Sequence, residues 1–273
     1  MRPDVSSLRR FYQTPIGRGV AHCLSQKILH HWSAGHLKKE GGDKASVTSA
    51  PIPALAKMDV MGLGYAVPVL DSLMTSGAEL FALMPGGQGA TLWPQMDAWT
   101  SDDGSEKACH KTAAQSRVIL VDDYHLPLCD GSVDRMILLH ALEYTSRPAA
   151  LLRECWRVLK PGGKVMVVVP HRSRTWSAME HTPFGHGTPY SRGQLLSLLE
   201  DQLLYATYIS SALMIPPFKM PGIERGIKVS EVALRGAFEM LGGLLVIEAE
   251  KRIYGSLSPM KGARQPVRVF HGI

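Results

Sequence analysis

Short apolar runs rich in Val, Ile and Leu recur along the chain, each bounded by turn residues, and the stretches between several of them repeat apolar residues at helical spacing. The clearest series lies between Val118 and Pro170. Val118 to Val121 ends in Asp122 and Asp123, Met136 to His140 ends in a histidine, and a third run closes at Pro170. Such runs suit parallel strands buried on both faces. Before the third run, Leu151, Leu152, Cys155, Val158 and Leu159 make one apolar stripe, which predicts a helix lying on a sheet. Ser146 is placed to cap this helix, Pro148 falls near its first position, and Lys160-Pro161-Gly162-Gly163 ends it. The unit is a right-handed β-α-β crossover.

Elsewhere the same reading predicts helices over Leu8 to Tyr12 and Ile16 to Trp32, the second opened by Thr14 as cap and Pro15 at its first position. Gly35 to Pro53 reads as a link. Lys57 to Met61 is a short strand running into a Gly62-Leu63-Gly64-Tyr65-Ala66 turn and a helix opened by Pro68, and Glu79 to Met84 is the next strand. Polar Gln95 to Ser116 reads as an exposed insertion. Ser191 caps a helix through Leu204, and Leu203 to Ser211 and Leu244 to Lys251 are the last two strands. Between these strands Pro216 to Glu239 is basic and then helical, a candidate wall over a substrate. The expected division is N-terminal helices and linker over 1–53, one main domain over 54–255 with an insertion at 95–116 and a lid at 171–192, and a flexible basic tail over 256–273.

A chain of 273 residues holds one sizeable α/β domain. No apolar run is long enough to span a bilayer, and the first twelve residues carry charges where a signal peptide needs an apolar core, so a cytoplasmic protein is expected. Cys23, Cys109, Cys129 and Cys155 lie far apart without a CxxC pair, which suits a reducing compartment and no zinc site. The formal charge of +6 comes partly from the two ends. It marks a basic surface, and no aromatic-interleaved basic stripe supports a nucleic-acid partner.

The linked series Asp122-Asp123-x-x-Leu126-Pro127, Asp130-Gly131-Ser132-Val133-Asp134, Leu142-Glu143 and Glu154-x-x-Arg157-Val158-Leu159-Lys160-Pro161-Gly162-Gly163 resembles the second half of a class I S-adenosylmethionine-dependent methyltransferase. The resemblance implies a Rossmann-like, doubly wound α/β fold whose mostly parallel seven-stranded sheet has an antiparallel edge strand. It implies S-adenosylmethionine as methyl donor, S-adenosylhomocysteine as product, and direct displacement by an acceptor for which a small molecule is favoured. The alternative is a methyltransferase fold that has lost catalysis and serves a protein partner.

Residue by residue, the resemblance assigns the donor site to Gly62, Leu63, Gly64, Tyr65, Met84, Pro85, Gln88, Asp122, Asp123, Tyr124 and His140. A glycine turn lets a nucleotide-like ligand approach bare backbone, although a tight turn without a ligand explains it equally well. The family has an acidic residue where this chain has Val60, and Ala66 stands at the third small position. Where a carboxylate would take both ribose hydroxyls the chain has Met84-Pro85, which leaves Gln88 as a neutral substitute. Asp122 falls at the adenine contact, with a loop cap as its other reading. His140 is a candidate catalytic base, an acceptor-orienting group, a contact to the methionyl end, or a histidine satisfied by backbone. Tyr12, His181, Phe184, His186 and Tyr190 are candidates for the acceptor pocket, Tyr12 having a plain packing role as its alternative. Without an acidic or cysteine partner at ligand spacing, the lid histidines predict no metal.

Overall fold

The structure, a computed structural model, describes residues 3–37, 55–94, 116–214 and 242–253. The linker, the insertion, the candidate wall and the tail fall almost wholly outside them.

In chain order the elements are α1 (Val5–Gln13), α2 (Pro15–Leu37), β1 (Asp59–Gly64), α3 (Val67–Leu73), β2 (Glu79–Pro85), β3 (Val118–Val121), β4 (Val133–Leu139), α4 (Pro148–Val158), β5 (Leu159–Pro170), α5 (Arg192–Asp201), β6 (Leu204–Ala212) and β7 (Leu244–Lys251). The seven strands form one sheet in the order β3-β2-β1-β4-β5-β7-β6. β1 pairs in parallel with β2 and β4, as does β4 with β5, whereas β7 runs antiparallel to both β5 and β6. This is the doubly wound, mostly parallel sheet that the resemblance implies, with its reversed strand, β7, one place in from the edge. Among the described residues no helix is long and apolar enough to cross a membrane.

The alternation of strand side chains divides the core. Val60, Ala82, Met84, Ile137, Leu139, Met166, Val168 and Val246 face one layer together with α1, α2 and α3. Met61, Leu63, Leu83, Met136, Leu138, Val165, Val167 and Ile247 face the other with α4 and α5. A period of two along each strand sends neighbours to opposite faces, and helices cover both.

Two local expectations need correction. The β1 strand runs through Gly62-Leu63-Gly64 instead of stopping at Met61, and the turn comes at Tyr65-Ala66. Packing explains it. A Cβ on Gly62 would lie 2.6 Å from the Ala66 Cβ, and one on Gly64, at φ +87°, would lie 2.3 Å from the Leu139 carbonyl oxygen. The second correction concerns α4, whose cap position is Arg147 with no side-chain bond. The Ser146 hydroxyl instead meets the Tyr124 hydroxyl at 3.1 Å. At α5 the expected Ser191 cap is present as a reciprocal box with Gln194.

Much of the motif series serves the fold. Glu154 accepts from the Leu126 amide at 3.1 Å, and Arg157 reaches the carbonyls of Leu126 and Leu128 at 3.0 and 2.9 Å. The pair pins the loop after β3 to α4. At the opposite end of the sheet Lys160 bridges Asp59 and Asp134 at 3.0 and 2.7 Å.

Candidate functional site

At the carboxyl end of β4 the chain turns at His140, which has φ +56° and a fully buried side chain. A left-handed histidine persists only where its surroundings hold it. Here the Leu139 carbonyl takes the Tyr65 amide at 2.8 Å and the His140 carbonyl takes Gln88 Nε2 at 3.2 Å, so the ends of β1, β2 and β4 are tied together. Helix α1 lies against this edge. The Val5 amide donates to the Gln88 carbonyl at 2.8 Å, and the Tyr12 hydroxyl meets His140 Nε2 at 2.8 Å.

Aromatic rings close the site. Tyr12 stacks on Tyr65 with centroids 5.7 Å apart, the Phe184 ring lies 4.7 Å from the His140 ring, and Phe11 meets both Tyr12 and Phe184 edge-on. Burial, with the nearby Glu143 carboxylate, pushes the Tyr12 phenol well above its ordinary value. Burial likewise pushes Tyr65 up to about 12. Both hydroxyls therefore stay protonated near neutrality.

One turn beyond His140, Glu143 is also buried. Its Oε1 lies 3.3 Å from His140 Nδ1, outside hydrogen-bond geometry, and neither carboxylate oxygen has a hydrogen-bond partner among the described residues. Gln88 Oε1 is in the same condition. The loop after β5 covers Glu143: the Thr188 amide donates to its carbonyl at 2.7 Å, and a Cβ on Gly187 would lie 2.7 Å from its Cγ. At the base of this loop the Arg172 amide donates to the Tyr190 carbonyl and the Tyr190 amide to the Pro170 carbonyl, both at 3.0 Å, and the Tyr144 hydroxyl donates to the Pro183 carbonyl.

The structure thus brings Tyr12, Tyr65, Gln88, His140 and Phe184 into one cluster beside Gly64. Tyr190 sits behind Glu143, its hydroxyl 3.5 Å from the Leu142 carbonyl, and burial together with the charge of Glu143 raises its phenol. Leu63 and Met84 point into the two cores, and Pro85 ends β2. Asp122 is exposed and accepts the Tyr124 amide at 2.7 Å, the geometry of a loop cap. Asp123 and Tyr124 follow it on that rim, and the Tyr124 hydroxyl is held by Thr145 at 2.9 Å under the Arg147 guanidinium. His181 and His186 are exposed on the loop after β5. Among the described residues no group of His, Cys, Asp and Glu could hold a metal ion.

Sequence reasoning assigned Glu143 no role. The spacing of His140 and Glu143, three apart after a strand end, was the available signal. It also missed a cavity of about 410 Å³ on the other side of Tyr12 and Tyr65, lined further by Arg9, Arg18, Asp71 and Trp93. There Trp93 Nε1 donates to Asp71 Oδ1 at 2.6 Å, while burial raises the Asp71 carboxyl.

Residues 87–167 match the model of a methyltransferase domain family. A probable S-adenosylmethionine-dependent methyltransferase of Mycolicibacterium smegmatis is 38% identical over 77 residues, 28% of this chain and 30% of the relative. A protein of the same description from Mycobacterium tuberculosis is 38% identical over 78 residues, 28% of each chain. The chain therefore spans less than a third of the length of these curated relatives. Among solved structures, an S-adenosylmethionine-dependent methyltransferase from Archaeoglobus fulgidus shares 16% identity at a TM-score of 0.45, covering 72% of this chain and 87% of its own. Geranyl diphosphate C-methyltransferase from Streptomyces coelicolor shares 16% at 0.43, covering 72% and 73%. The family match begins after the β1 glycines and runs through β3, β4 and β5, the stretch that carries the linked motif series. Within that stretch the chain is similar to the methyltransferase domain family and to relatives described as S-adenosylmethionine-dependent methyltransferases.

Proposed function

We propose that the protein binds S-adenosylmethionine at the carboxyl edge of β1, β2 and β4 and transfers its methyl group to a small-molecule acceptor by direct displacement. The observation that carries this reading is the set of unpartnered buried oxygens, Gln88 Oε1 and both oxygens of Glu143, around His140. Buried polar atoms without partners in a native fold call for an explanation, and a ligand is one. S-adenosylmethionine supplies an electrophilic methyl on a sulfonium, an ammonium and two ribose hydroxyls, all cationic or donating. Oxygen acceptors suit each of them. In this reading Gln88 takes a ribose hydroxyl where the family uses a carboxylate, Glu143 offsets the positive end, and Tyr12, His140 and Phe184 shape the approach of the acceptor. Alignment and exclusion of water then do most of the catalytic work.

A specific observation favours the second reading, a non-catalytic fold serving a protein partner. The space beside Gly62 and Gly64 is filled by the protein's own atoms, and the family match begins only after them. Calorimetric titration with S-adenosylmethionine and S-adenosylhomocysteine separates the two. Micromolar binding, about −8 kcal/mol, supports the enzyme. Absence of binding at millimolar ligand makes the partner reading the better one. The Asp122→Ala variant in the same titration tests the adenine contact, since unchanged affinity leaves Asp122 as a loop cap alone.

A further inference from the structure

The groups that the proposed donor would meet are closed to solvent, with His140 fully buried and Gln88 and Glu143 each 2% exposed. Helix α1 closes one side of them by touching the chain beyond all three strand ends. Its Val5 amide donates to the Gln88 carbonyl after β2, its Tyr12 hydroxyl meets His140 after β4, and the Tyr12 ring stacks on Tyr65 after β1. A helix of nine residues spans about 13 Å, enough to cross strands spaced about 4.8 Å apart.

The other cover, the loop after β5, is tied down by backbone bonds at its base, among them the His171 amide on the Gly243 carbonyl. Helix α1 is held differently. It meets α2 at Thr14-Pro15, where Thr14 is extended at ψ 159° and Pro15 has no N–H to continue the helical ladder. This leaves two separate helices on one joint. Gly17 lets them close on each other, since a Cβ there would collide with the Phe11 carbonyl oxygen and lie 2.6 Å from the Tyr12 Cα.

We propose that α1 is a strap over the donor site, and that S-adenosylmethionine enters only when the strap swings away about Thr14-Pro15. This rests on the proposed function, whose donor site the strap covers. Opening exposes the buried side chains of Leu8 and Tyr12, so the closed form is the major one. The apparent dissociation constant is then the intrinsic one divided by the open fraction. Whatever loosens the strap tightens the donor.

Two substitutions loosen it at opposite ends without altering a side chain of the proposed site. Gly17→Ala forces α1 away from α2. Val5→Pro removes the amide that holds the Gln88 carbonyl, at a first helical position where proline is tolerated and after an Asp4 already extended at ψ 161°. Calorimetric titration of the full chain with S-adenosylmethionine should show binding about fivefold tighter in Val5→Pro and at least about tenfold tighter in Gly17→Ala than in wild type. In ligand-free hydrogen exchange the Val5 amide reports the seating of the strap, because it donates outside its own helix. Its protection should fall at least about tenfold in Gly17→Ala, while Met136–Leu139 in β4 keep wild-type protection and so show that the sheet is intact. Wild-type binding that is tightened in neither variant, or Val5 protection unchanged in Gly17→Ala, would overturn the strap and leave the donor site standing. Absence of binding in all three proteins would overturn the donor site and the strap with it.

Discussion

The Tyr12 hydroxyl stands 2.8 Å from His140 Nε2, joining an N-terminal helix to a strand end 128 positions along the chain. The contact couples the tautomer of the histidine to the direction of the bond. Burial keeps the Tyr12 phenol protonated, and with that phenol as donor Nε2 accepts and the proton of a neutral ring lies on Nδ1, the nitrogen 3.3 Å from Glu143 Oε1. In ¹⁵N-histidine spectra of the full chain near neutrality, His140 should show the Nδ1–H form in wild type. Tyr12→Phe should relax that preference and cost about 1–3 kcal/mol by leaving buried Nε2 without its partner. A dominant Nε2–H form in wild type would show that the donor runs the other way.

Glu143 leads to a prediction with two opposite signs. A buried carboxylate opposes folding when the facing His140 Nδ1, 3.3 Å away, lies outside hydrogen-bond geometry and neither oxygen has a hydrogen bond among the described residues, and removing its charge relieves that cost. Glu143→Gln should therefore stabilise the ligand-free chain by about 1 kcal/mol, raising the unfolding midpoint by about 2–4 °C. The same substitution should weaken S-adenosylmethionine, because the charge facing its positive end is gone. This is the usual exchange of stability for function at a site. Differential scanning calorimetry and the donor titration check the two halves, and a destabilised variant with unchanged affinity would refute the assignment of Glu143 to the donor site.

The β1 glycines differ in what they tolerate. Gly64 combines φ +87° with a carbonyl oxygen 2.3 Å from where a Cβ would stand, so Gly64→Ala meets strain and a rigid backbone clash together. A loss of about 3 kcal/mol or more is expected from urea unfolding. At Gly62 the obstacles are side-chain atoms of Ala66 and Leu70, and the Leu70 side chain can shift. Gly62→Ala should cost about 1–2 kcal/mol. Equal costs at the two positions would mean that Gly64 is not held as described.

These glycines also show what was legible in the sequence. The strand runs were readable because both faces of the sheet are covered, which leaves Met136–Leu139 and Val165–Val169 without polar interruption. The Gly62-Leu63-Gly64 spacing was visible too, but spacing does not say whether bare backbone faces a ligand or a neighbouring carbonyl. The Ser146 cap was misread because capping depends on the backbone of the residue that enters the helix, and that residue is Arg147. Tyr12 and His140 could each be picked as candidates, one on a helix and one at a strand end. Their contact depends on how α1 folds back at Thr14, whose hydroxyl takes the Gly17 amide at 3.0 Å and donates to the Phe11 carbonyl at 2.7 Å. The cavity was beyond reach for the same reason, since its lining comes from α1, α2, the β1–α3 turn and the segment after β2.

Glu248 is the largest feature that no local pattern announced, and it carries the strongest pH prediction. Its carboxylate, 1% exposed on β7, accepts from Trp32 Nε1 at 2.8 Å, His31 Nε2 at 3.0 Å, and Arg135, Lys164 and Thr207 at 3.1 Å each. Five donors from α2, β4, β5 and β6 thus converge on one side chain and lock α2 to the sheet. Burial alone would raise this carboxyl, but the His31 hydrogen bond and the charges of His31, Lys164 and Arg135 override it and pull it down to about 2. A folded value below the unfolded one means that the stabilisation is present in full above the unfolded value of 4.5 and is lost as pH falls toward about 2. The difference corresponds to about 3 kcal/mol across that window. Stability from urea unfolding should therefore fall steeply between those two pH values in wild type. Glu248→Gln, which strands the Arg135 and Lys164 charges, should cost about 3–5 kcal/mol at pH 7 and flatten the acid limb. An acid limb of unchanged steepness in the variant would mean that other carboxylates drive the acid transition and that Glu248 is not the group that holds α2 in place.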